Sequence, residues 1–266
     1  MKISFIVLHY NQSEYIKESL YSIIYSGLTN EELEIIILDD FSSLEEYTKL
    51  NKQVEEIKNN YNISIYIYKE NKNTKNQSLL RNKGIEKSSG DYIVFLDGDD
   101  FINSISFKKM YEFIKKNNYD VYFPTRIIGW NTYGNKSYNK ITVNIDDENS
   151  YGCGISHYII KKETLYKHNI FFEEKEFNFY AEDIYFFCLL IDSIKKYNIS
   201  CYTYYDDWYY CGLKRPTSTF ANKNSNIVSK TYWTKYSKFL IKKIEDKKVL
   251  QYGLNNIIKL FKYQNR

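Results

Sequence analysis

Apolar residues in this chain gather in short runs separated by longer amphipathic stretches. Ile3–Leu8, Glu34–Leu38 and Tyr92–Leu96 read as strands buried on both faces, because their apolar character is continuous rather than alternating. Ile63–Tyr68 and Asp120–Phe123 read as further strands. Between them lie helical patterns. Ile16, Leu20, Ile23 and Ile24 recur at helical spacing behind a candidate N-cap at Ser13, and Gly27 provides the stop. Later helices are expected up to about Asn59, over Leu79–Ile85 as far as Gly90, and over Ile105–Asn117. Strands alternating with helices of this length predict βαβ units and a parallel sheet, an α/β fold whose first half is of the doubly wound, nucleotide-binding kind.

The pattern loosens beyond Arg126. Arg126–Ser150 suggests hairpins or loops, and Tyr151–Ile160, with Gly152 and Gly154, suggests a strand loosened by glycine. Lys162–His168 reads as a short helix and Ile184–Ile194 as a strongly apolar one, with Asp192 on its polar side. Cys201–Tyr210 reads as an aromatic strand region, Gly212–Thr219 as a basic, hydroxyl-rich loop, and Ser225–Arg266 as two helices.

Carboxylates close two of the early strands. Leu38 runs into Asp39-Asp40, and Leu96 runs into Asp97-Gly98-Asp99-Asp100. Ligands of open α/β sheets collect outside the carboxyl ends of the strands, so acids there must meet water or a cation. Hard divalent ions take carboxylate oxygens together with phosphate oxygens of a bound molecule, so the pattern suggests a metal-bridged nucleotide. The competing reading is a set of turn acids and a helix cap, with Asp100 as the cap. No Gly-x-Gly-x-x-Gly and no GxxxxGK[ST] occurs, which disfavours a dinucleotide site and a P-loop.

Composition narrows the class without changing it. Of 266 residues, 43% are hydrophobic and 26% charged, as expected of a globular chain with a packed core. The 29 Tyr and 16 Phe resemble the bias of an AT-rich coding sequence, so single tyrosines carry little weight. A net charge of +4, spread along the chain, is too small to imply nucleic-acid binding. Cys153, Cys188, Cys201 and Cys211 show neither CxxC nor Cys/His spacing, which argues against zinc and disulfides and fits a reducing cytosol. No signal peptide and no transmembrane helix are expected. His9, His157 and His168 are read as structural.

Five blocks in order resemble the inverting GT-A glycosyltransferases of family 2, bacterial enzymes that use nucleotide sugars. They are Phe5-Ile6-Val7-Leu8-His9-Tyr10-Asn11; Ile36-Ile37-Leu38-Asp39-Asp40-Phe41-Ser42; Leu80-Arg81-Asn82-Lys83-Gly84; Asp97-Gly98-Asp99-Asp100; and Glu182-Asp183 opening an apolar helix. Many members carry Pro near Leu8, and this chain does not.

The resemblance implies a GT-A fold: residues 1–222 as the transferase domain, 1–124 its nucleotide-binding half and 125–222 its acceptor half, followed by a helical tail, 223–266. It implies that Tyr10 packs on the base, Asp40 accepts a uracil-like N–H and Arg81 reaches the diphosphate or the metal-bridged strand end, a solvated helix residue being the competing reading. Asp97 would hold the ribose or a metal-bound water beside Gly98, and Asp99 would ligate Mn²⁺ or Mg²⁺. Asp183 would be the base, with Glu182 as fallback, and Lys214, Arg215 and Ser218 would fold over the diphosphate. The implied donor is a nucleoside diphosphate sugar, a UDP sugar foremost; the acceptor is a surface glycan such as capsule or lipooligosaccharide, or a lipid-linked glycan. Cytosolic enzymes of this kind work at the inner leaflet, which Lys230, Lys235, Lys238, Lys242, Lys243, Lys247 and Lys248 of the tail would approach; a solvated helix face is the competing reading. Two other functions stay open. A sugar nucleotidyltransferase would show a glycine-rich basic loop after the first strand, and a non-catalytic binding module would be free to lose Asp97, Asp99 and Asp183.

Overall fold

A computed structural model describes residues 1–124, 126–131, 136–140, 158–176, 181–204, 210–214 and 230–264; for 126–131, 136–140, 210–214, 230 and 260–264 it describes the backbone alone. The first half alternates as the pattern predicts: β1 (Ile3–His9), α1 (Ile16–Ile24), β2 (Leu33–Asp39), α2 (Leu44–Asn60), β3 (Ser64–Lys69), α3 (Gln77–Lys87) and β4 (Tyr92–Asp97). Next come β5 (Phe101–Ile102), α4 (Ser104–Asn117), β6 (Val121–Pro124), β7 (Arg126–Asn131) and β8 (Lys136–Lys140). The remainder is β9 (Ile159–Lys161), α5 (Lys162–Lys167), α6 (Glu182–Tyr197), β10 (Cys201–Tyr204), β11 (Tyr210–Lys214), α7 (Lys230–Lys243) and α8 (Lys247–Gln264).

Among the described residues, seven strands form the main sheet in the order β10-β6-β9-β4-β1-β2-β3. All neighbours are parallel except β9, which runs antiparallel to both β4 and β6. Both faces are covered, which is why the runs are unbroken. Ile6, Leu8, Ile36, Leu38, Ile93 and Phe95 pack toward α3, α6, α7 and α8, while Phe5, Val7, Ile35, Ile37, Val94 and Leu96 pack toward α1, α2 and α4. A second sheet, β5-β11-β7-β8, contains the expected hairpin between β7 and β8.

Several local expectations are corrected. Ser13 does not cap α1; its hydroxyl donates to Glu46 at 2.6 Å. Asp100 does not cap α4, because the Asn103 side chain accepts from the N–H groups of Ile105 and Ser106. Asp192 is buried rather than on a polar face, and it accepts the Asp246 N–H at 2.6 Å. Phe101–Ile102, unassigned in the pattern, is a short strand completed only by pairing with β11. The stretch 151–157 lies outside the described residues.

The last two helices are built into the core. Trp233, Tyr236, Phe239 and Leu240 of α7, with Val249 and Ile257 of α8, belong to the same buried cluster as Phe186, Phe187 and Leu190 of α6. Lys195 and Lys196 of α6 pair with Asp246 at 3.2 Å and Glu245 at 2.6 Å. Lys235, Lys238, Lys242, Lys243, Lys247 and Lys248 face outward. No helix among the described residues is long and apolar enough to cross a membrane.

Glu34 anchors the opposite end of the sheet from the acid clusters. Its buried carboxylate accepts from the Ser4 hydroxyl at 2.6 Å and pairs with Lys2 at 3.0 Å, and it also accepts from the hydroxyl and N–H of Ser89. Burial alone would raise its pKa; the hydrogen bonds from Ser4 and Ser89 outweigh this and bring it down to about 2. A depressed native pKa stabilises the fold above the unfolded value near 4.5, and that contribution disappears as pH falls toward 2. Glu34→Gln is therefore expected to flatten the acid limb of stability by up to about 3 kcal/mol, read from urea midpoints between pH 5 and pH 2.

Candidate active site

Three loops are laced together at the carboxyl ends of β1, β2 and β3. His9, fully buried at the end of β1, donates through Nδ1 to Asp39 at 2.8 Å, and Asp39 also accepts from the hydroxyl and N–H of Ser42. Burial pushes Asp39 up, but hydrogen bonds from His9 and Ser42 prevail and hold it below the usual carboxylate range. Asn11, at φ 50°, donates its N–H to Ser42 at 2.9 Å and accepts from the Ser43 N–H at 2.9 Å. Asp40 accepts the N–H groups of Thr74 at 2.7 Å and Lys75 at 3.1 Å, tying the loop after β3 to the end of β2. Tyr10 stands on this frame with 46% of its surface exposed, in a position to offer a ring face.

The end of β4 lies beside these loops, since β4 pairs with β1 up to Leu8 and Asp97. Gly98 packs directly on β1: its N–H donates to the Leu8 carbonyl at 3.0 Å, and a Cβ here would come within 2.6 Å of that oxygen. The glycine of this motif is thus required by the close approach of two backbones. The turn is closed by the Asp100 N–H donating to the Asp97 carbonyl at 2.9 Å. Asp97 and Asp99 are partly exposed, and Asp100 is buried.

Arg81 joins this strand end to α6. The resemblance implies a reach to the diphosphate or to the metal-bridged strand end, against a solvated helix residue; Arg81 is 3% exposed and turns to the strand end. One terminal nitrogen donates to Glu182 at 2.7 Å and the other to Asp97 at 3.2 Å, with the guanidinium centre 5.5 Å from the Phe172 ring centroid. A planar fork suits two carboxylates arriving from different elements. Residues separated by a hundred positions therefore meet at one point: Asp97 from β4, Arg81 from α3, and Glu182 with Asp183 from the first turn of α6.

Asp183 is the electrostatic exception. Burial and then the negative charge of Glu182 push its pKa up to about 7, against the lowering effect of the Ile184 N–H and of Arg81. Glu182 is committed to Arg81, whereas the Asp183 carboxylate accepts the Ile184 N–H at 2.9 Å. A half-buried carboxylate whose pKa lies near 7 can take up a proton at ordinary pH.

Among the described residues no group of three or more His, Cys, Asp or Glu side chains is arranged to hold a metal ion. The donor set still suits a hard cation, because Asp97 and Asp99 are solvent-reachable oxygen ligands at a strand end. Mg²⁺ is commonly held by one or two carboxylates and completed by substrate phosphates. Lys214 is not in a loop: its backbone ends β11, paired with Asn131 of β7. Arg215 and Ser218 lie outside the described residues, as does His157.

Three features of the site had no readable signal. Asn82 donates to Glu174 at 2.7 Å and to the Phe172 carbonyl at 3.0 Å, fixing the segment that packs on Arg81. Ala181, which precedes α6, adopts φ 62° and ψ 25°. Tyr236 of α7 donates to the Ala181 carbonyl at 2.6 Å.

Comparison with known proteins places this arrangement. Residues 4–186, more than half of the chain and reaching into α6, match the family described as glycosyl transferase family 2. The chain belongs to this family. It is similar to a poly(ribitol-phosphate) beta-glucosyltransferase of Bacillus spizizenii, 31% identical over 121 residues, covering 46% of this chain and 18% of that protein. It is also similar to the poly(ribitol-phosphate) beta-N-acetylglucosaminyltransferase TarP of Staphylococcus aureus, 28% identical over 120 residues, 45% of this chain and 35% of that protein. The chain thus spans well under half the length of these relatives. Its fold is that of S. aureus TarS 1-349 in complex with UDP-GlcNAc, with a TM-score of 0.73 at 21% identity over all of this chain and 72% of the other. The mannosyltransferase PcManGT of Pyrobaculum calidifontis, solved with GDP-Man and Mn²⁺, shares the fold at a TM-score of 0.61 and 11% identity, over 99% of this chain and 73% of that one. The GT-A expectation holds: a mostly parallel sheet flanked by helices, with helices at the C-terminal end.

Removing one partner of a buried ion pair leaves the others uncompensated. Arg81→Met in this family 2 member is therefore expected to cost about 3–5 kcal/mol of unfolding free energy, measured by urea titration at pH 7.5. Arg81→Lys should recover only part of it, because a single ammonium cannot span both Asp97 and Glu182.

Proposed function

We propose that this chain transfers a sugar from a nucleoside diphosphate sugar, a UDP sugar, to a hydroxyl of a glycan or polyol-phosphate polymer, with inversion at the anomeric carbon. The observation that carries this reading is the Arg81 bridge, which ties Glu182, the neighbour of Asp183, to Asp97 at the acid-tipped end of β4. Family membership and relatives named as poly(ribitol-phosphate) glycosyltransferases support the donor and acceptor classes.

In this scheme Tyr10 stacks on the base and Asp40, held by the 74–75 backbone, accepts its N–H. Asp97 and Asp99 face the diphosphate, where Mn²⁺ or Mg²⁺ would supply positive charge to the leaving group. Asp183 takes the proton of the acceptor hydroxyl as that oxygen bonds to C1; the bond from C1 to the diphosphate oxygen breaks on the opposite face, and UDP departs. Glu182, paired with Arg81, orients the helix end, and burial followed by its negative charge raises the proton affinity of Asp183. Lys214, at the end of β11, and Arg215 and Ser218 beyond it are assigned to cover the donor and exclude water. Contact of the outward lysines of α7 and α8 with an anionic membrane belongs to the same proposal.

Asp183→Asn should lower kcat by about 10²–10⁴-fold in an assay of UDP release from UDP-GlcNAc or UDP-glucose with poly(ribitol phosphate) as acceptor. The wild-type kcat/KM should fall below a pH of about 7, where Asp183 becomes protonated. Stability should move the other way. A carboxyl whose native pKa is raised stabilises the fold at low pH and loses that contribution as pH climbs toward 7, so Asp183→Asn should gain about 2 kcal/mol at pH 8 and nothing at pH 4. An active Asp183→Asn enzyme would refute the assignment of the base. Titration calorimetry with UDP tests the donor site: Asp99→Asn should abolish the Mn²⁺-dependent part of binding, and undiminished Mn²⁺ dependence would remove Asp99 from the metal site.

A further inference from the structure

The residue before α6 sits in a conformation that its side chain does not favour. Ala181 has φ 62° and ψ 25°, lacks a side-chain cap and is buried. The left-handed region is uncommon for a residue with a Cβ and persists only where surroundings hold it. Here that conformation decides the direction in which the next two residues, Glu182 and Asp183, leave the chain.

One side chain from far along the sequence grips this turn. The Tyr236 hydroxyl donates to the Ala181 carbonyl at 2.6 Å, and the same carbonyl accepts the first helical N–H, that of Tyr185, at 3.3 Å. Tyr236 is wholly buried, and its ring is parallel to that of Tyr232 at 6.3 Å and lies 6.4 Å from Phe239. Phe239 in turn meets Tyr185 of α6 at 5.1 Å. Burial pushes the phenol well above its ordinary range, helped by Cys188, Asp183 and Glu182, so it remains a donor. The hydroxyl sits on the carbonyl of the residue that immediately precedes the acid pair.

We infer that Tyr236 is a positioning residue for the transfer reaction: its hydrogen bond to Ala181 fixes the turn that aims Asp183. This rests on the transferase reading given above. Helix α7 therefore contributes to catalysis without touching donor or acceptor.

The test compares three variants of the full chain by UDP release from UDP-GlcNAc or UDP-glucose. Tyr236→Phe removes only the hydroxyl. It is expected to lower kcat at least tenfold, to leave the donor KM within twofold, and to displace the acid limb of the pH profile. Phe239→Leu disturbs α7 packing while keeping the hydroxyl; it should lower the melting temperature with kcat and the acid limb unchanged. Asp183→Asn tests the underlying reading. A wild type that releases no UDP, or an Asp183→Asn variant as active as wild type, overturns the transferase reading and this inference with it. An active wild type whose Tyr236→Phe variant keeps kcat and its acid limb overturns the inference alone. So does a Tyr236→Phe variant that fails to fold, or a Phe239→Leu variant that loses kcat as severely, because the hydroxyl would then serve packing only.

Discussion

Arg81 carries the constraint on which the site depends. It is buried, so its charge must be answered inside the protein, and the two carboxylates that answer it come from β4 and α6. The charges oblige three elements to meet, and the sheet order permits it: β1 lies between β2 and β4, and α3 packs against β1 and β2. With one carboxylate committed to the bridge, the adjacent Asp183 is left with the desolvation and repulsion that raise its proton affinity. One hydrogen-bonded fork thus fixes both the geometry and the electrostatics of the acid pair.

Holding α6 in place is a separate task, and the C-terminal helices perform it. The apolar faces of α7 and α8 close over α6, Asp192 accepts the N–H that begins the approach to α8, and Lys195 and Lys196 pair with Asp246 and Glu245. The exposed ion pairs add little free energy by themselves. The buried aromatic residues supply most of it, through the apolar area they withdraw from water. What was read as a tail shares the core cluster of the sheet.

Uncommon backbone conformations gather around the same end of the sheet. Asn11, Phe41 and Ala181 all have positive φ, and they lie in the loops after β1 and β2 and at the start of α6. Asn11 is offset by its hydrogen bonds with Ser42 and Ser43, and Ala181 by Tyr236. Each costs on the order of 1 kcal/mol and is retained where a loop must present side chains to a crevice.

The sequence by itself determined the parallel sheet, because a strand covered on both faces must be apolar throughout, and Ile3–Leu8 and Tyr92–Leu96 are legible as such without coordinates. It also determined the five motif blocks and hence the family, since those residues are local strings. Capping was read less well: Ser13 and Asp100 have cap-forming side chains, yet Ser13 is drawn to Glu46 of α2, and α4 begins three residues beyond Asp100 with Asn103 as its own cap. The destination of Arg81, the burial of Asp192, the partner of β5 and the hold of Tyr236 on Ala181 were decided only by the tertiary structure. Each is a contact between residues that are 16 to 110 positions apart — Arg81 with Asp97 and Glu182, Asp192 with Asp246, Phe101 with Cys211, Tyr236 with Ala181. Periodicity reports which face of an element is buried; it does not report what lies against that face, and the chemistry of the acid pair depends on what lies there.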